Sequence, residues 1–377
     1  MNETTSTALA YGIYKQDLPP PEEKARNVVF VDVGHIGVQA AACSFNKGKL
    51  SVKACTFDRG CGGKSYDAKL AKYFAEDFKA KHKMDPCSVP RVYLKLVTEV
   101  EKIKKQMSAN TNNLPLNIEC FMEERDLSGR VDRVKFEELI APEIARIEAV
   151  LQECLAVSEW KLEDIYSVEV VGGSTRIPAI KSAIERVFGK VPNTTLNADE
   201  AVSRGCALQC AILSPTFKVR EFSVTDIQPF EIKLSWEAET DKGDMVVFPK
   251  FHQIPFSKLL TFYRRDNFTV EASYGSDVPV QNPFIGRFEI GEVKPLADGG
   301  NQKVKVKVRV NLNGVFTVSS ASLIEKQEIE EEVSSKFISN CNVFSHRTLC
   351  YILNNNVNYL SYGRTTFDLS TFRSCCK

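Results

Sequence analysis

The apolar residues of the first 214 positions follow two different periods, which together predict a mixed α/β region. Nearly continuous apolar runs are typical of buried strands, and apolar residues three or four positions apart are typical of helices. Strands are predicted over residues 28–33, 38–45, 50–57, 116–122 and 166–171. Helices are predicted over residues 1–14, 67–83, 90–108, 132–157 and 199–213, and from residue 178 onward.

The pattern changes after residue 214. From there to about residue 326, short β-rich runs are separated by Gly, Pro and Asn, which is typical of an all-β sandwich. Residues 304–310 alternate valine with lysine or arginine, so we expect one buried face and one basic face. A solvated surface is the simpler interpretation of those charges.

Composition argues against several classes of partner. The net charge of +1 offers no electrostatic basis for nucleic-acid binding, and no apolar run has the length of a membrane span. The first residues lack a basic start, so we expect no signal peptide. The twelve cysteines contain no CxxC pair and only four histidines accompany them, so we expect no metal site. Reduced thiols fit a cytoplasmic protein.

A glycine-rich turn links the predicted strand at 166–171 to the helix that follows Pro178. The turn reads Gly172-Gly173-Ser174-Thr175-Arg176. Glycines let a ligand approach bare backbone, amides at a helix start favour anions, and an arginine can stack on a ring or pair with phosphate. A plain turn with two glycines is the alternative interpretation.

Two neighbouring segments resemble one known family. Residues 170–180 resemble the adenosine-contacting segment of the actin-like ATPases, in the form seen in the heat shock protein 70 chaperones. Residues 197–207 follow at the right distance and resemble that family's second inter-lobe helix. The resemblance implies a partial actin-like ATPase lobe over 1–214, a linker over 215–226, a β-sandwich substrate-binding-like domain over 227–326 and a divergent, flexible tail over 327–377. Residues 1–12 resemble a segment midway through the ATPase domain, so we expect an N-terminally truncated chain.

The resemblance also assigns candidate nucleotide contacts. Glu101, Lys104, Lys105 and Ser108 fall at the offsets of the family's adenine-pocket helix, although a solvated helix face is the simpler interpretation of these residues alone. With Gly172, Gly173, Ser174 and Arg176 they are expected to bind ATP or ADP weakly.

A second turn resembles the family's phosphate loop only in part. Asp32 and Gly34 match, and are expected to contribute to the nucleotide site. The differences are His35 and Ile36 for two glycines, Gly37 for a threonine and Gln39 for an aspartate. Because phosphoryl transfer depends on positioned charge-stabilising groups, we expect no hydrolysis, no catalytic residue and therefore no enzyme.

The predicted linker points to one branch of the family. Lys218, Arg220 and Glu221 interrupt a segment that is apolar in ordinary members, and this departure resembles the heat shock protein 110 branch. The resemblance implies a nucleotide-exchange partner or holding co-chaperone for heat shock protein 70, in the cytoplasm and also the nucleus. Its expected partners are that chaperone and unfolded polypeptide, with neither nucleic acid nor membrane. A weak ATPase of the actin-like fold and an inactive truncated product remain as alternatives.

Overall fold

The computed structural model describes residues 1–238, 241–275, 278–296, 298–328, 348–355 and 358–360. The chain divides into two compact units, the first over Met1–Pro229 and the second beginning at Phe230. No helix in the described ranges combines the length and the apolar character needed to cross a membrane.

The first unit is built from seven α-helices, three short 3-10 helices and seven strands in its described residues. The helices are α1 Glu3–Gly12, α2 Gly63–His82, α3 Pro90–Ala109, α4 Arg133–Leu139, α5 Ala141–Ser158, α6 Pro178–Phe188 and α7 Ala201–Leu213. The strands are β1 Arg26–Val33, β2 Val38–Asn46, β3 Lys49–Asp58, β4 Leu114–Met122, β5 Arg125–Val131, β6 Ile165–Val171 and β7 Ser223–Gln228. Five strands of this unit are neighbours in a mixed sheet, in the order β7-β3-β2-β1-β6, and β4 and β5 form a separate hairpin.

Helices cover both faces of the mixed sheet, which explains the continuous apolar runs of its strands. Val29 and Val31 of β1 join the cluster that includes residues of α2, α3, α5 and α6. On the opposite face, Phe30 packs edge-on against Tyr11 of α1, with ring centroids 5.4 Å apart. Successive side chains of a strand point to opposite faces, so β1 has no solvated side.

The second unit consists of strands in its described residues. These are β8 Ile232–Ala238, β9 Asp241–Phe248, β10 His252–Ile254, β11 Phe256–Arg264, β12 Phe268–Tyr274, β13 Phe284–Ile290, β14 Gln302–Val310, β15 Phe316–Glu328, β16 Thr348–Asn355 and β17 Asn358–Leu360. Antiparallel pairing gives one sheet in the order β11-β14-β15-β16 and another in the order β17-β13-β12-β8-β9. Residues of both sheets share one hydrophobic cluster.

Two local predictions for residues 116–157 were wrong. The helix predicted over 132–157 is two helices, because α4 ends before Ile140 and Pro142 lies in the first turn of α5. Proline lacks an amide hydrogen and cannot sit within a continuous helix without disrupting it. The prediction also missed β5, which returns antiparallel to β4 through Glu123 and Glu124 at φ 45° and 59°. Non-glycine residues rarely adopt such values, so the sequence carries no clear turn signal there.

The segment predicted as a linker over 215–226 contains part of a strand. Residues 223–225 of β7 pair in parallel with residues 49–51 of β3. Asp226 is buried and accepts hydrogen bonds from Thr5 Oγ1 at 2.8 Å and Asn2 Nδ2 at 3.1 Å. The boundaries at 214, 226 and 326 stay predictions. The predicted tail, 327–377, lies mostly outside the described residues, apart from the end of β15 and the backbone of β16 and β17.

Candidate nucleotide-binding site

Two turns emerge side by side at one edge of the mixed sheet. Strands β1 and β6 are parallel neighbours, with Asp32 opposite Val171. The turn at residues 34–37 follows β1, and the turn at residues 172–176 follows β6. The carboxyl ends of adjacent parallel strands are the usual place for a ligand crevice in an α/β sheet.

Gly172 brings the two turns into direct contact. Its φ is +86°, and a Cβ at this position would lie 2.4 Å from Asp32 Oδ1 and 2.5 Å from Val33 O. Its amide donates a hydrogen bond to Ala198 O at 2.9 Å. Gly173 differs, because an added Cβ would meet no atom within 4 Å. The first glycine is therefore required by packing, while the second leaves open space at the backbone.

Side-chain hydrogen bonds fix the 172–176 turn. Ser174 Oγ donates to Gly34 O at 2.9 Å, and Thr175 Oγ1 donates to Gly172 O at 2.7 Å. Residues Gly173–Arg176 form a short 3-10 helix that ends just before Pro178 begins α6. The structure thus brings together four predicted site residues, namely Asp32, Gly34, Gly172 and Ser174.

Arg176 lies at the exposed rim of this turn. Its guanidinium makes a 3.1 Å ion pair with Asp199, and its side chain is 63% exposed. An exposed pair of this kind contributes little to stability. The planar guanidinium can therefore take part in stacking on a ligand without a large loss of folding free energy.

A second glycine pair, which the sequence analysis did not assign to the site, supports the 34–37 turn. The Gly63 amide donates to Gly34 O at 3.0 Å, and the Lys64 amide donates to His35 O at 2.7 Å. A Cβ on Gly62 would lie 2.6 Å from Gly37 N. The signal that could have identified this pair is its position directly before a helix, as in the 172–176 turn.

Lys104 lies where the 34–37 and 172–176 turns meet, a place that we call the junction. A Cβ on Gly63 would lie 3.1 Å from Ser174 Oγ, 3.2 Å from Lys104 Nζ and 3.3 Å from His35 Nδ1. Lys104 is buried, donates to Asp67 Oδ2 at 2.8 Å and donates to Gly63 O at 3.3 Å. The solvated-face interpretation therefore does not hold for Lys104.

Asp67 is the buried partner of Lys104. Burial raises the pKa of the Asp67 carboxyl, although the hydrogen bond and charge of Lys104 act in the opposite direction. Its other oxygen, Oδ1, is buried and has no hydrogen-bond partner among the described residues. A carboxylate normally accepts several hydrogen bonds. Asp67 Oδ1 is therefore an unused hydrogen-bond acceptor next to the junction.

The other residues predicted on α3 lie nearer the surface. Lys105 makes a 2.8 Å ion pair with Glu101, one turn away, and is 70% exposed. Ser108 Oγ donates to Lys104 O, within its own helix, at 3.4 Å. The hydrogen bond from Lys105 is the largest cause of a lowered pKa at Glu101. Contacts of Glu101, Lys105 and Ser108 with a nucleotide stay predictions.

The Asp32 carboxylate lies directly against Gly172 of the 172–176 turn. Burial, together with the nearby charge of Glu3, raises its pKa to about 6. The exposed Glu3 carboxylate accepts a hydrogen bond from the Gln39 side chain. No group of three or more His, Cys, Asp or Glu residues in the described part of the chain is placed to hold a metal ion.

Comparison with known proteins identifies the family. A family model described as Hsp70 protein matches residues 1–342. The chain belongs to this family. Its first unit therefore carries the family's actin-like ATPase fold, as the resemblance implied, while the finer assignment of the second unit as a β-sandwich stays a prediction.

Similar proteins place the chain in the heat shock protein 110 branch. "Heat shock 70 kDa protein 4" of Rattus norvegicus is 56% identical over 335 residues, which cover 88% of this chain and 40% of that protein. "Heat shock 70 kDa protein 4L" of Homo sapiens is 54% identical over 338 residues, 89% of this chain and 40% of that protein. "97 kDa heat shock protein" of Mesocentrotus franciscanus is 54% identical over 334 residues, 88% of this chain and 38% of that protein. The chain thus spans about two fifths of the length of these relatives.

Family membership corrects one prediction. We expected a non-enzymatic protein because the 34–37 turn departs from the family's phosphate loop. That expectation is wrong, since the chain belongs to a family of ATP-hydrolysing enzymes. Several contacts where the two turns meet use backbone amides and carbonyls, so the side-chain differences at residues 35–39 do not by themselves exclude hydrolysis.

Proposed function

We propose that this chain is a chaperone-related protein that binds ATP and ADP at the junction of the 34–37 and 172–176 turns. The observation that carries the proposal is the packing of Gly172 on Asp32, with open space at Gly173 and an exposed Arg176 beside it. Backbone at a strand-to-helix turn suits an anion, and a guanidinium can stack on a flat base. An adenine nucleotide presents both chemical features.

Lys104 gives the proposed site a positioned cation. An ammonium has three donor hydrogens, and Lys104 directs two donations to Asp67 and Gly63. One donor is left for a ligand, while Asp67 holds the lysine in place. Glu101, Lys105 and Ser108 lie further along the same helix and are proposed as contacts for the base and ribose. Affinity is expected to be weak.

The proposed role is that of a nucleotide-exchange partner or holding co-chaperone for heat shock protein 70, in the cytoplasm and also the nucleus. Membership of the heat shock protein 110 branch supports this role. The second unit, with two antiparallel sheets around one cluster, is proposed as the family's β-sandwich and as a holder of unfolded polypeptide. Because the chain covers 40% of a similar protein such as the rat relative, these whole-protein activities belong to the proposal.

ATP hydrolysis is a second candidate function, favoured by Asp32. A carboxylate with a pKa of about 6 is mostly ionised at neutral pH and is a stronger base than an ordinary aspartate. Asp32 could accept a proton from an attacking water at the phosphate end of the site. A phosphate-release assay on the purified chain and on Asp32→Asn measures this activity.

Calorimetric titration with ADP tests the nucleotide site. Arg176→Ala is expected to weaken binding about three- to thirtyfold, the range of a stacking cation. Arg186→Ala is the matched control, because Arg186 is a similarly exposed arginine that pairs with Glu148 on another part of the unit. Equal affinities of the two variants would reject the assigned site. The required baseline is ADP binding that can be measured for the wild type and for both variants.

A release assay tests the co-chaperone role. Heat shock protein 70 is loaded with a fluorescent ADP analogue, and its dissociation is followed after the chain is added with excess ATP. The proposal expects faster dissociation than with an equal concentration of an unrelated protein. An unchanged rate, together with failure to suppress aggregation of a heat-denatured client, would reject both forms of the role.

A further inference from the structure

Four cations form a column on one face of β14. Lys303, Lys305, Lys307 and Arg309 occupy alternate positions and point away from the core, while the four valines that alternate with them are buried. We call these four residues the basic column. Alternate residues of a strand are about 6.8 Å apart, so the column extends over roughly 20 Å.

Among the residues that the structure describes, none of the positions directly opposite the basic column holds an acidic side chain. Opposite it stand Ser257, Leu259, Thr261 and Tyr263 on β11, and Thr317, Ser320, Ser322 and Ile324 on β15. No ion pair to any of the four cations is present among the described residues. Leu259 and Tyr263 are each 56% exposed, so an apolar rim accompanies the column.

The other sheet of the second unit arranges its exposed charges differently. Glu271 and Arg287 are directly opposite on β12 and β13 and form an ion pair. Glu237 and Lys242 pair across β8 and β9 at 2.8 Å. Mixed signs of this kind are ordinary for a solvated sheet. Like charges side by side repel one another and destabilise the isolated sheet. We therefore expect a binding partner outside the sheet to account for the column.

We propose that the basic column and its rim bind an extended, acidic polypeptide segment. Side chains at alternate positions of an extended chain repeat at the same 6.8 Å or so, so carboxylates on one side of the ligand can meet the cations one for one. Strand β14 is already paired with β11 and β15, so recognition takes place through side chains on the face and not by addition of a strand. Leu259 and Tyr263 cover the apolar side chains of such a segment.

A single-stranded nucleic acid fits this face less well. Its phosphates could meet the cations, but its bases need a row of stacking rings, and Tyr263 is the one aromatic residue among those directly opposite the column. The chain as a whole is also nearly neutral, at +1. The proposal rests on the second unit alone and does not depend on the nucleotide site.

Fluorescence anisotropy with a labelled peptide tests the proposal. The probe is a ten-residue peptide made of five Glu-Thr repeats, and the uncharged comparison is a ten-residue peptide made of five Gln-Thr repeats. A ten-nucleotide oligothymidine is the third ligand and represents single-stranded nucleic acid. The full chain is compared with Lys305→Gln/Lys307→Gln. An exposed ion pair changes affinity by about 1.5- to 5-fold, so we expect the double variant to bind the acidic peptide about 2- to 25-fold more weakly.

Matched controls separate charge at this face from overall charge. Lys72→Gln/Lys81→Gln removes two exposed lysines from α2, which pair with Glu76 and Asp77, and should leave binding unchanged. Lys305→Arg/Lys307→Arg should retain binding, and all variants should melt with the wild type. Three results would each overturn the proposal. They are no binding of the acidic peptide, an equal loss of affinity for that peptide in the two glutamine variants, and tighter binding of oligothymidine than of the peptide.

Discussion

Replacing Gly172 by alanine should disrupt the junction of the two turns. The residue has φ +86°, and the added Cβ would lie 2.4 Å from Asp32 Oδ1 and 2.5 Å from Val33 O. Backbone in this region costs a non-glycine residue about 1–3 kcal/mol, and displacing a packed neighbour costs about 1–3 kcal/mol more. We expect Gly172→Ala to lower the free energy of unfolding by about 4 kcal/mol, and Tm by about 8–16 °C for a unit of this size.

Gly173→Ala is the matched control for that prediction. It adds the same methyl group one residue later, where no atom lies within 4 Å of the new Cβ. We expect its stability to stay within about 0.5 kcal/mol of the wild type. Urea unfolding followed by fluorescence is suitable, because a Trp236→Phe background leaves Trp160 as the single tryptophan of the chain.

Similar midpoints and slopes for the Gly172 and Gly173 variants would contradict the expected clash at Gly172. The same two variants can be titrated with ADP. Since Gly172 sets the position of the turn relative to Asp32, its replacement should also weaken ADP binding, whereas the Gly173 variant should retain a folded site. A Gly172→Ala protein as stable as the wild type would show that the turn adapts to a side chain without cost.

Three further predictions concern buried polar groups and helix contact. The pKa of Asp32 is raised to about 6, so between about pH 4 and 6 the native state holds a proton that the unfolded state has lost. The free energy of unfolding therefore falls as pH rises through that window. Asp32→Asn should raise Tm at pH 8 and have little effect on Tm at pH 4, as thermal melts at the two pH values would measure. Asp67→Ala should destabilise the first unit by about 3–5 kcal/mol in urea unfolding, because it leaves Lys104 buried without its partner. Asp67→Leu/Lys104→Met should recover most of the loss, and a double variant no more stable than Asp67→Ala would contradict this prediction. Gly205→Val should separate α7 from α1, because even a Cβ would lie 1.9 Å from Ser6 O, and unchanged protease resistance would contradict this contact.

Local pattern was sufficient where one residue type dictates one conformation. The apolar run at 28–33 predicted a buried strand, and β1 has helices on both of its sides. The Gly172-Gly173 pair before Pro178 predicted a strand-to-helix turn, which the structure contains. Local pattern failed at residues 123–124, because two glutamates form a turn that favours other residue types.

Periodicity and motifs were sufficient to predict most of the strands and helices, the glycine turn and the family. Which polar residues share a site became clear from the packing of distant elements. Lys104 reads as one of several charges on an amphipathic helix, yet it is buried against Asp67, which lies 37 positions away in the chain. The physical reason is that periodicity reports which face of an element is apolar, whereas the partner of a polar group depends on how distant elements pack. The same reason explains Asp226, a residue of the predicted linker whose hydrogen bonds to Asn2 and Thr5 no local pattern could reveal.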